Sequence, residues 1–329
     1  MLSRNAERIY WLGRYIERAE DTARLLNVFS HLMLDLPQSH QLDWSVLLKI
    51  MSVEADFNKR YDTVSEENVV RFLLTDLENP GSIRSAVRAA RENARTLRDM
   101  IPLEGWEMLN ELNLFMKRSP EDVYRRRHRF QCLTDIIARC QCFNGMIQST
   151  LSRTDAYEFL SMGEFIERAD MITRTLDVAT GILLHRSEEA SAFDSHIWME
   201  VLKAQNAVMM YRTVNGPRIS PEAVLQFLLC RNDFPRSSKY CLTAMRQLAE
   251  TLPRNQGFLS SIDNLTASLE PYGNPQELVP ATLHELFDEM QIGLNELHNI
   301  ITNTWFLSAA AVAAETQSQT QTQTQDETS

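Results

Sequence analysis

Residues 16–28, IERAEDTARLLNV, recur with few changes as residues 166–178, IERADMITRTLDV. Seven of the thirteen aligned positions are identical, and they include the complete Ile-Glu-Arg-Ala core. The offset of 150 residues is close to half of the 329-residue chain. A charged Glu-Arg pair that recurs at the same place in two similar segments indicates a tandem duplication.

The apolar residues around the first copy recur every three or four positions, as in an amphipathic helix. They are Ile9, Leu12, Ile16, Ala19, Ala23 and Leu26. This pattern predicts one long helix from about Asn5 to Leu34, which Pro37 ends. The chain has only 10 Gly and 11 Pro, which disfavours loop-rich β folds and parallel α/β folds. The sequence therefore predicts an all-α protein.

The similarity between the two copies continues beyond the long helix. The matching pairs are Trp44 and Trp198, Phe72 and Phe227, and Pro80 and Pro235. We therefore expect a tandemly duplicated helical bundle with pseudo-twofold related halves, each of five or six helices. Repeat 1 is expected over residues 1–150 and repeat 2 over residues 151–307. The Gln/Thr-rich residues 308–329 are expected to form a disordered low-complexity tail, because they bury too little apolar surface to fold.

Charge and composition limit the classes of partner. The net charge is −11 and the sequence pI about 5.2, which argues against nucleic acid, because phosphate binding needs a basic surface. No apolar run approaches the ~18 residues that a membrane-spanning helix needs. The five cysteines are odd in number and have no paired spacing, which favours reduced thiols. We expect a soluble cytoplasmic protein that binds neither nucleic acid nor membrane.

The Glu-Arg pair lies within an apolar helical pattern, where each charge needs a partner. Successive helical residues point about 100° apart, so Glu17 and Arg18 face different neighbours and cannot bridge each other. Arg14 and Asp21 share a polar helix face with Glu17, whereas Arg18 lies at the margin of the apolar stripe. The partners of the pair must therefore come from other helices or from a ligand.

Two hypotheses explain the repeated pair. In the structural one, Glu17 and Arg18 form ion pairs with Arg168 and Glu167 of the other repeat. In the functional one, the arginines bind a carboxylate or phosphate in a groove between the repeats, since a planar guanidinium suits both anions. Catalysis by the motif alone is the weakest interpretation, because a Glu beside an Arg has a lowered pKa and is a poor general base.

Residues 88–95, RAARENAR, are a second dense polar segment. Its three arginines recur at helical spacing, and the matching segment of repeat 2 keeps only Arg246. This asymmetry fits either a solvated helix face or a partner surface that only repeat 1 uses. Arg91, Asn93 and Arg95 are therefore secondary candidate site residues, together with Arg14 and Asp21 on the polar face of the first helix.

The sequence offers no further chemical motif. A di-metal helical bundle needs Glu-x-x-His pairs, but Glu17 is followed three residues later by Glu20. His284-Glu285 begins like a zincin motif, but its fifth residue is Asp288 instead of His. No nucleophile–histidine grouping and no Gly-rich nucleotide loop is visible. We therefore assign no catalytic residue, no metal site and no cofactor.

Taken together, these segments resemble the Alpha-E family, an α-helical domain named for its Glu-Arg motif. The resemblance rests on residues 2–28, 72–83, 90–95 and 166–169 and covers about residues 1–307. Carried over, the motif residues are Glu17, Arg18, Glu167 and Arg168. Repeat 2 departs from the pattern by losing most of the 90–95 segment, so a site that includes it should be single or asymmetric.

The resemblance implies no established activity. It implies genomic company with circularly permuted ATP-grasp carboxylate–amine ligases and transglutaminase-like peptidases, and hence a peptide synthesis or modification system. The leading hypothesis is a non-catalytic helical accessory protein that partners the ligase or the transglutaminase-like protein and could bind their peptide. The alternative is an enzyme that acts on a peptide or amide in a groove between the repeats, using Glu17 or Glu167.

Overall fold

The computed structural model is all-helical, as the periodicity predicts. It describes residues 1–36, 42–118, 122–184, 191–274, 278 and 280–307. The predicted tail at 308–329 and the predicted helix stop at Pro37 lie outside these residues. Within the described residues there are 14 α-helices and no strand. None of these helices combines the length and the hydropathy needed to cross a lipid bilayer.

Seven of the helices precede residue 151 and seven follow it. The first seven are α1 Ser3–Asp35, α2 Ser45–Ile50, α3 Glu54–Asn58, α4 Glu66–Leu74, α5 Ile83–Thr96, α6 Leu103–Arg118 and α7 Arg126–Thr150. The second seven are α8 Asp155–Leu184, α9 Ser191–Ala204, α10 Val208–Asn215, α11 Pro221–Cys230, α12 Ser238–Glu250, α13 Gln256–Ala267 and α14 Pro280–Ile301. Short 3₁₀ turns at Asp122–Tyr124 and Pro271–Gly273 and a π turn at Thr302–Phe306 complete the described elements.

The expectation of five or six helices in each half is too low by at least one. The additional helices include two short ones: α3 has five residues and α10 has eight. Elements of one or two turns contain too few residues to show a helical period in the sequence. The long α1 is predicted closely, since it runs from Ser3 to Asp35 instead of from Asn5 to Leu34.

The two longest helices form the centre of the molecule. Helix α1 packs against α8, and α5 and α7 pack on α1 while α12 and α14 pack on α8. Buried apolar side chains from Ala6 to Phe306 form one continuous cluster, so the two halves share a core. Helices α1 and α8 are parallel, because the contacts between them move toward higher residue numbers on both helices. Gly13 lies against Leu160, and further along Arg18 pairs with Glu167.

The helices of the two halves begin in the same way at matching positions. The side chains of Ser65, Ser82, Ser220 and Ser237 each accept a hydrogen bond from a backbone N–H three residues further on. These N-caps satisfy donors that the first helical turn leaves unpaired. They fix the starts of α4, α5, α11 and α12, and the start of α12 carries a residue of the site described next.

Candidate functional site

The site is built on a close crossing of α1 and α8 at two glycines. A Cβ atom on Gly13 would lie 2.1 Å from the carbonyl oxygen of Leu160. Reciprocally, a Cβ on Gly163 would lie 2.1 Å from the carbonyl oxygen of Tyr10. Only glycine allows the two backbones to approach so closely. The crossing brings the Glu-Arg pairs, about one turn further along each helix, within reach of each other.

Glu17 of α1 pairs with Arg168 of α8. The guanidinium donates from Nε to Glu17 Oε1 at 2.7 Å and from Nη2 to Oε2 at 2.8 Å. Glu17 is completely buried and Arg168 is 7% exposed. Burial opposes ionisation of Glu17, but Arg168 and Arg236 outweigh it and hold the pKa of this carboxyl below its usual range. The first motif carboxylate is therefore a fully paired anion.

Glu167 of α8 pairs with two arginines of α1. Arg18 donates from Nε to Oε1 at 2.5 Å and from Nη2 to Oε2 at 2.9 Å, and Arg14 Nε donates to Oε2 at 2.7 Å. Burial again opposes ionisation, but Arg18 and Arg14 lower the pKa of Glu167 to about 2. The side chain of Arg18 keeps 21% of its surface exposed. The second motif carboxylate is also fully paired, beside an arginine that solvent can reach.

Further charged side chains surround each Glu–Arg pair and form two clusters. The clusters differ in the sign of their net charge. The acid-rich cluster contains Glu17, Glu20, Asp21, Glu164, Arg24, Arg168 and Arg236. The base-rich cluster contains Glu167, Asp170, Arg14, Arg18 and Arg174. The acid-rich cluster has four carboxyl groups and three guanidinium groups, whereas the base-rich cluster has two carboxyl groups and three guanidinium groups.

Three sequence positions create this difference, and at the first of them α8 has Met171 where α1 has Asp21. Arg14 belongs to the base-rich cluster, and 150 residues later the chain has Glu164, which accepts from Arg168 at 2.5 Å. Arg236 follows Pro235 at the start of α12, whereas Gly81 follows the matching Pro80. Arg236 donates to Asp21 at 2.8 Å and lies 3.0 Å from Glu17 Oε1. The surroundings of the two Glu-Arg pairs are therefore not equivalent.

Two carboxyl groups of the acid-rich cluster have pKa values above their usual range. Burial raises the pKa of Asp21 to about 7, and the neighbouring Glu17 carboxylate acts in the same direction. Burial also raises the pKa of Glu164, although Arg168 opposes this effect. Asp21 Oδ2 has no hydrogen-bond partner among the described residues, which leaves room for a proton on that oxygen. One proton here would balance the cluster's charge.

The helical wheel places Arg14, Glu17 and Asp21 on a polar face, but in the structure this face is not solvated. Glu17, Glu20 and Asp21 are all buried, because α8 and the start of α12 cover them and Gln141 of α7 donates to Glu20. A wheel shows which residues share a face and not what packs on it. The polar face of α1 is therefore an interface between helices.

An aromatic pair lies next to the base-rich cluster, and the sequence pattern did not indicate it. The Tyr10 hydroxyl lies 2.9 Å from His298 Nδ1 of α14, and Arg14 lies over the Trp11 ring at 4.8 Å. Burial and Arg14 lower the pKa of His298 to about 4, and burial raises the pKa of Tyr10 to about 12. Both groups are therefore neutral near pH 7 and close one side of the cluster.

Of the secondary candidates, Arg14 lies in the base-rich cluster and Asp21 in the acid-rich cluster. Arg91, Asn93 and Arg95 lie elsewhere, on the surface of α5. Arg91 donates to Asn110 of α6 at 2.9 Å and to Glu92 at 2.5 Å, and Arg95 donates to Glu92 at 2.9 Å. No hydrogen bond or ion pair joins them to the Glu-Arg pairs within the described residues. Asn93 is half-buried, and its carbonyl accepts from a neighbouring threonine. These residues form a separate polar surface.

One group of three side chains in the described residues has the types that could hold a metal ion: Asp177, His284 and Asp288. However, Nδ1 of His284 faces Asp177 at 2.8 Å, while Nε2 faces Asp288 at 3.9 Å. The two carboxylates thus face different ring nitrogens instead of sharing one ligand position. This arrangement fits an exposed histidine between two aspartates better than a metal site.

The fold and site define a class of all-helical proteins whose two central helices are joined by reciprocal Glu–Arg pairs. The chain belongs to the Alpha-E family, described as a predicted alpha-helical domain with a conserved ER motif, whose model matches residues 1–306. It is similar to uncharacterised proteins of Mycobacterium bovis and Mycobacterium tuberculosis, with 22% and 21% identity over 324 residues. The matches cover 90% of this chain and only 36% of each relative. No solved structure matches the chain.

Proposed function

We propose that the protein is a non-catalytic helical accessory protein of a peptide synthesis or modification system. It would partner a circularly permuted ATP-grasp carboxylate–amine ligase and a transglutaminase-like peptidase. The observation that carries this proposal is the state of the motif carboxylates: Glu17 is completely buried, Glu167 is 3% exposed, and both are held by bidentate arginines. Ionised carboxylates fixed in this way join helices and are poor general bases.

The length of the relatives supports a role beside another protein. The chain spans about a third of the length of the mycobacterial proteins that it matches, since 36% of each is covered. In those proteins the helical body is therefore one part of a longer polypeptide. A protein that works next to another domain needs a stable body and an exposed surface, and the arginines of α5 offer such a surface for an acidic partner.

The alternative function, an enzyme, would need one motif carboxylate open to a substrate. It would act on a peptide or amide held by Arg18, whose side chain is partly exposed. The burial and lowered pKa of Glu167 oppose this role. The enzyme hypothesis expects Glu167→Gln to abolish turnover with little change in the melting temperature, whereas the accessory function expects a lower melting temperature.

Binding to the ligase tests the proposed function. The full chain and an ATP-grasp ligase from the same genome would be purified separately, mixed and analysed by size-exclusion chromatography and calorimetry. A complex that co-elutes supports the proposal. If neither the ligase nor the transglutaminase-like protein associates with the chain at micromolar concentration, the accessory function is contradicted.

We also infer that the two halves, residues 1–150 and 151–307, are a tandem duplication about a pseudo-twofold axis parallel to α1 and α8. The reciprocal glycine contacts and the crossed Glu–Arg pairs support this relation, as do the matching serine caps. An experimental structure tests it: superposing α1–α7 on α8–α14 should need a rotation close to 180° with little translation. A rotation far from 180° would contradict the proposed symmetry.

A further inference from the structure

Helix α5 carries a row of arginines on its outer side. Arg84, Arg88, Arg91 and Arg95 follow i, i+4, i+7 and i+11 spacing, which places them on one side of the helix over about 17 Å. Glu92 pairs with Arg91 and Arg95. Arg84 and Arg88 form no hydrogen bond or ion pair within the described residues. These four arginines, here called the basic stripe, therefore carry more positive charge than their neighbours balance.

Helix α14 has the same spacing with the opposite charge. Glu285, Glu289, Ile292 and Glu296 occupy the corresponding i, i+4, i+7 and i+11 positions, and all four are exposed. The three glutamates form no hydrogen bond or ion pair in the part of the chain that the structure describes. Ile292 is 70% exposed, which leaves an apolar side chain in solvent. These four residues are here called the acidic stripe.

The matching helices of the other half carry neither stripe. Helices α5 and α12 align with an offset of 155 residues, because their buried positions recur at that distance. Helices α7 and α14 align in the same way with an offset of 154 residues. The positions that match the basic stripe are Lys239, Thr243, Arg246 and Glu250, and those that match the acidic stripe are Gln131, Asp135, Ala138 and Cys142. A helix in either place can therefore form without a stripe of one charge.

An open groove of about 480 Å³ between α13 and α14 lies beside the acidic stripe. Glu289, Ile292 and Glu296 line it, and its described lining contains no Lys, Arg or His. The groove of about 410 Å³ between α6 and α7 differs, because Arg139 lines it and lies 3.8 Å from Glu111. Position 293, which matches Arg139, is a glycine. The groove beside α14 therefore keeps its negative charge.

We propose that the acidic stripe of α14 docks on the basic stripe of α5 in a second copy of this chain. With the two helices parallel, the facing pairs are Arg84 and Glu285, Arg88 and Glu289, and Arg95 and Glu296. Ile292 then faces Arg91, which already donates to Asn110. An antiparallel arrangement would place Ile292 opposite Arg88, which has no partner of its own, so the spacing favours the parallel one.

The contact should be of low affinity, because exposed ion pairs are individually weak and are screened by salt. Each copy has one stripe of each sign, so further contacts can close a dimer or a ring, or extend a chain of copies. The contact goes beyond the proposed accessory function and does not rest on it. An acidic partner that bound α5 would compete with the second copy.

Sedimentation equilibrium of the full chain, without any other protein, tests the contact. In about 20 mM salt the average mass should rise above 37.9 kDa as the protein concentration increases, and in about 500 mM salt it should stay at that value. A mass of 37.9 kDa at every concentration in low salt overturns the proposal. Association that is equally strong at both salt concentrations also overturns it, because such association would not be electrostatic.

Charge reversal locates the contact. Arg88→Glu and Glu289→Arg should each weaken association at least about tenfold, because like charges would then meet. The double variant Arg88→Glu/Glu289→Arg should recover most of this loss, since opposite charges meet again. If the double variant associates no better than either single variant, the assignment is wrong.

Arg127→Glu and Glu107→Arg are the matched controls, because they change the net charge by the same amounts at exposed positions outside both stripes. They should leave association nearly unchanged. If they weaken it as much as the stripe variants do, net charge governs association and the proposal is wrong. Circular dichroism would show that each variant is folded, and if a stripe variant is not, the salt dependence of the unchanged chain decides alone.

Discussion

The two Glu-Arg pairs have the same sequence but different surroundings. The pair Glu17–Arg168 lies in the acid-rich cluster, closed by Arg236 and completely buried at the carboxylate. The pair Glu167–Arg18 lies in the base-rich cluster, where a second arginine shares the carboxylate and solvent reaches Arg18. The comparison teaches that a duplicated motif can keep one geometry while its neighbours set different charges, burial and pKa values.

Truncating Arg168 should have the largest effect. Arg168→Ala leaves Glu17 buried without its bidentate partner, and we expect a loss of about 3–5 kcal/mol in the free energy of unfolding. Arg18→Ala should cost less, about 1–3 kcal/mol, because Arg14 and solvent still compensate Glu167. Urea unfolding of both variants measures the difference. Equal losses in the two variants would contradict the expected difference between the acid-rich and the base-rich cluster.

Replacing either glycine at the crossing of α1 and α8 should lower the free energy of unfolding by less than Arg168→Ala does. The loss should be similar for the two glycines. Gly13→Ala and Gly163→Ala each place a methyl group against a backbone carbonyl, so α1 and α8 must separate. We expect each to cost about 1–3 kcal/mol, as for overpacking in a core. The control is Gly145→Ala in α7, where a Cβ meets nothing within 4 Å. If only one of Gly13→Ala and Gly163→Ala lowers the free energy of unfolding, the reciprocal contact between the two helices is contradicted.

The contributions of Asp21 and Glu167, one from each cluster, to the free energy of unfolding should depend on pH in opposite directions. The pKa of Asp21 rises from 3.8 to about 7 on folding, so its contribution to stability is complete below about pH 4 and is lost as the pH rises through 7. The pKa of Glu167 falls from 4.5 to about 2, so its contribution is present above about pH 4.5 and is lost as the pH falls through 2.

Asp21→Asn tests the first of these dependences. It should raise the free energy of unfolding at pH 8 by about 1–2 kcal/mol and flatten the decline between pH 5 and pH 8. Urea unfolding at several pH values measures the slope. Asp99→Asn, at an exposed position, is the control and should keep the slope of the unchanged chain. An unchanged slope in Asp21→Asn would place the raised pKa on another group.

The smallest effect on stability is expected on the surface of α5. Arg95→Glu breaks an exposed pair with Glu92 and should change the free energy of unfolding by less than about 1 kcal/mol. If this face binds an acidic partner, the same change should weaken association with the ligase while Arg127→Glu, at another exposed position, does not. Equal association of both variants would exclude Arg95 from the interface.

Much of the fold could be predicted because it repeats locally readable patterns. The apolar spacing from Ile9 to Leu26 predicts α1 to within two residues at its start. The structural hypothesis for the motif named the partners that the structure brings together, because a buried charge needs a counter-charge and the second copy offered one. The sequence did not indicate Gly13 or Gly163, since a glycine inside a helical pattern does not reveal which backbone lies against it.

The sequence by itself determined the helical class, the repeated Glu-Arg motif, and the need of each Glu-Arg pair for outside partners. These properties follow from residue spacing along one chain segment. Only the tertiary structure decided that the polar face of α1 is buried, that Arg236 binds Asp21 across 215 residues, and that the two clusters differ in charge. Such contacts join segments far apart in the chain, and their burial and pKa values depend on every helix that packs around them.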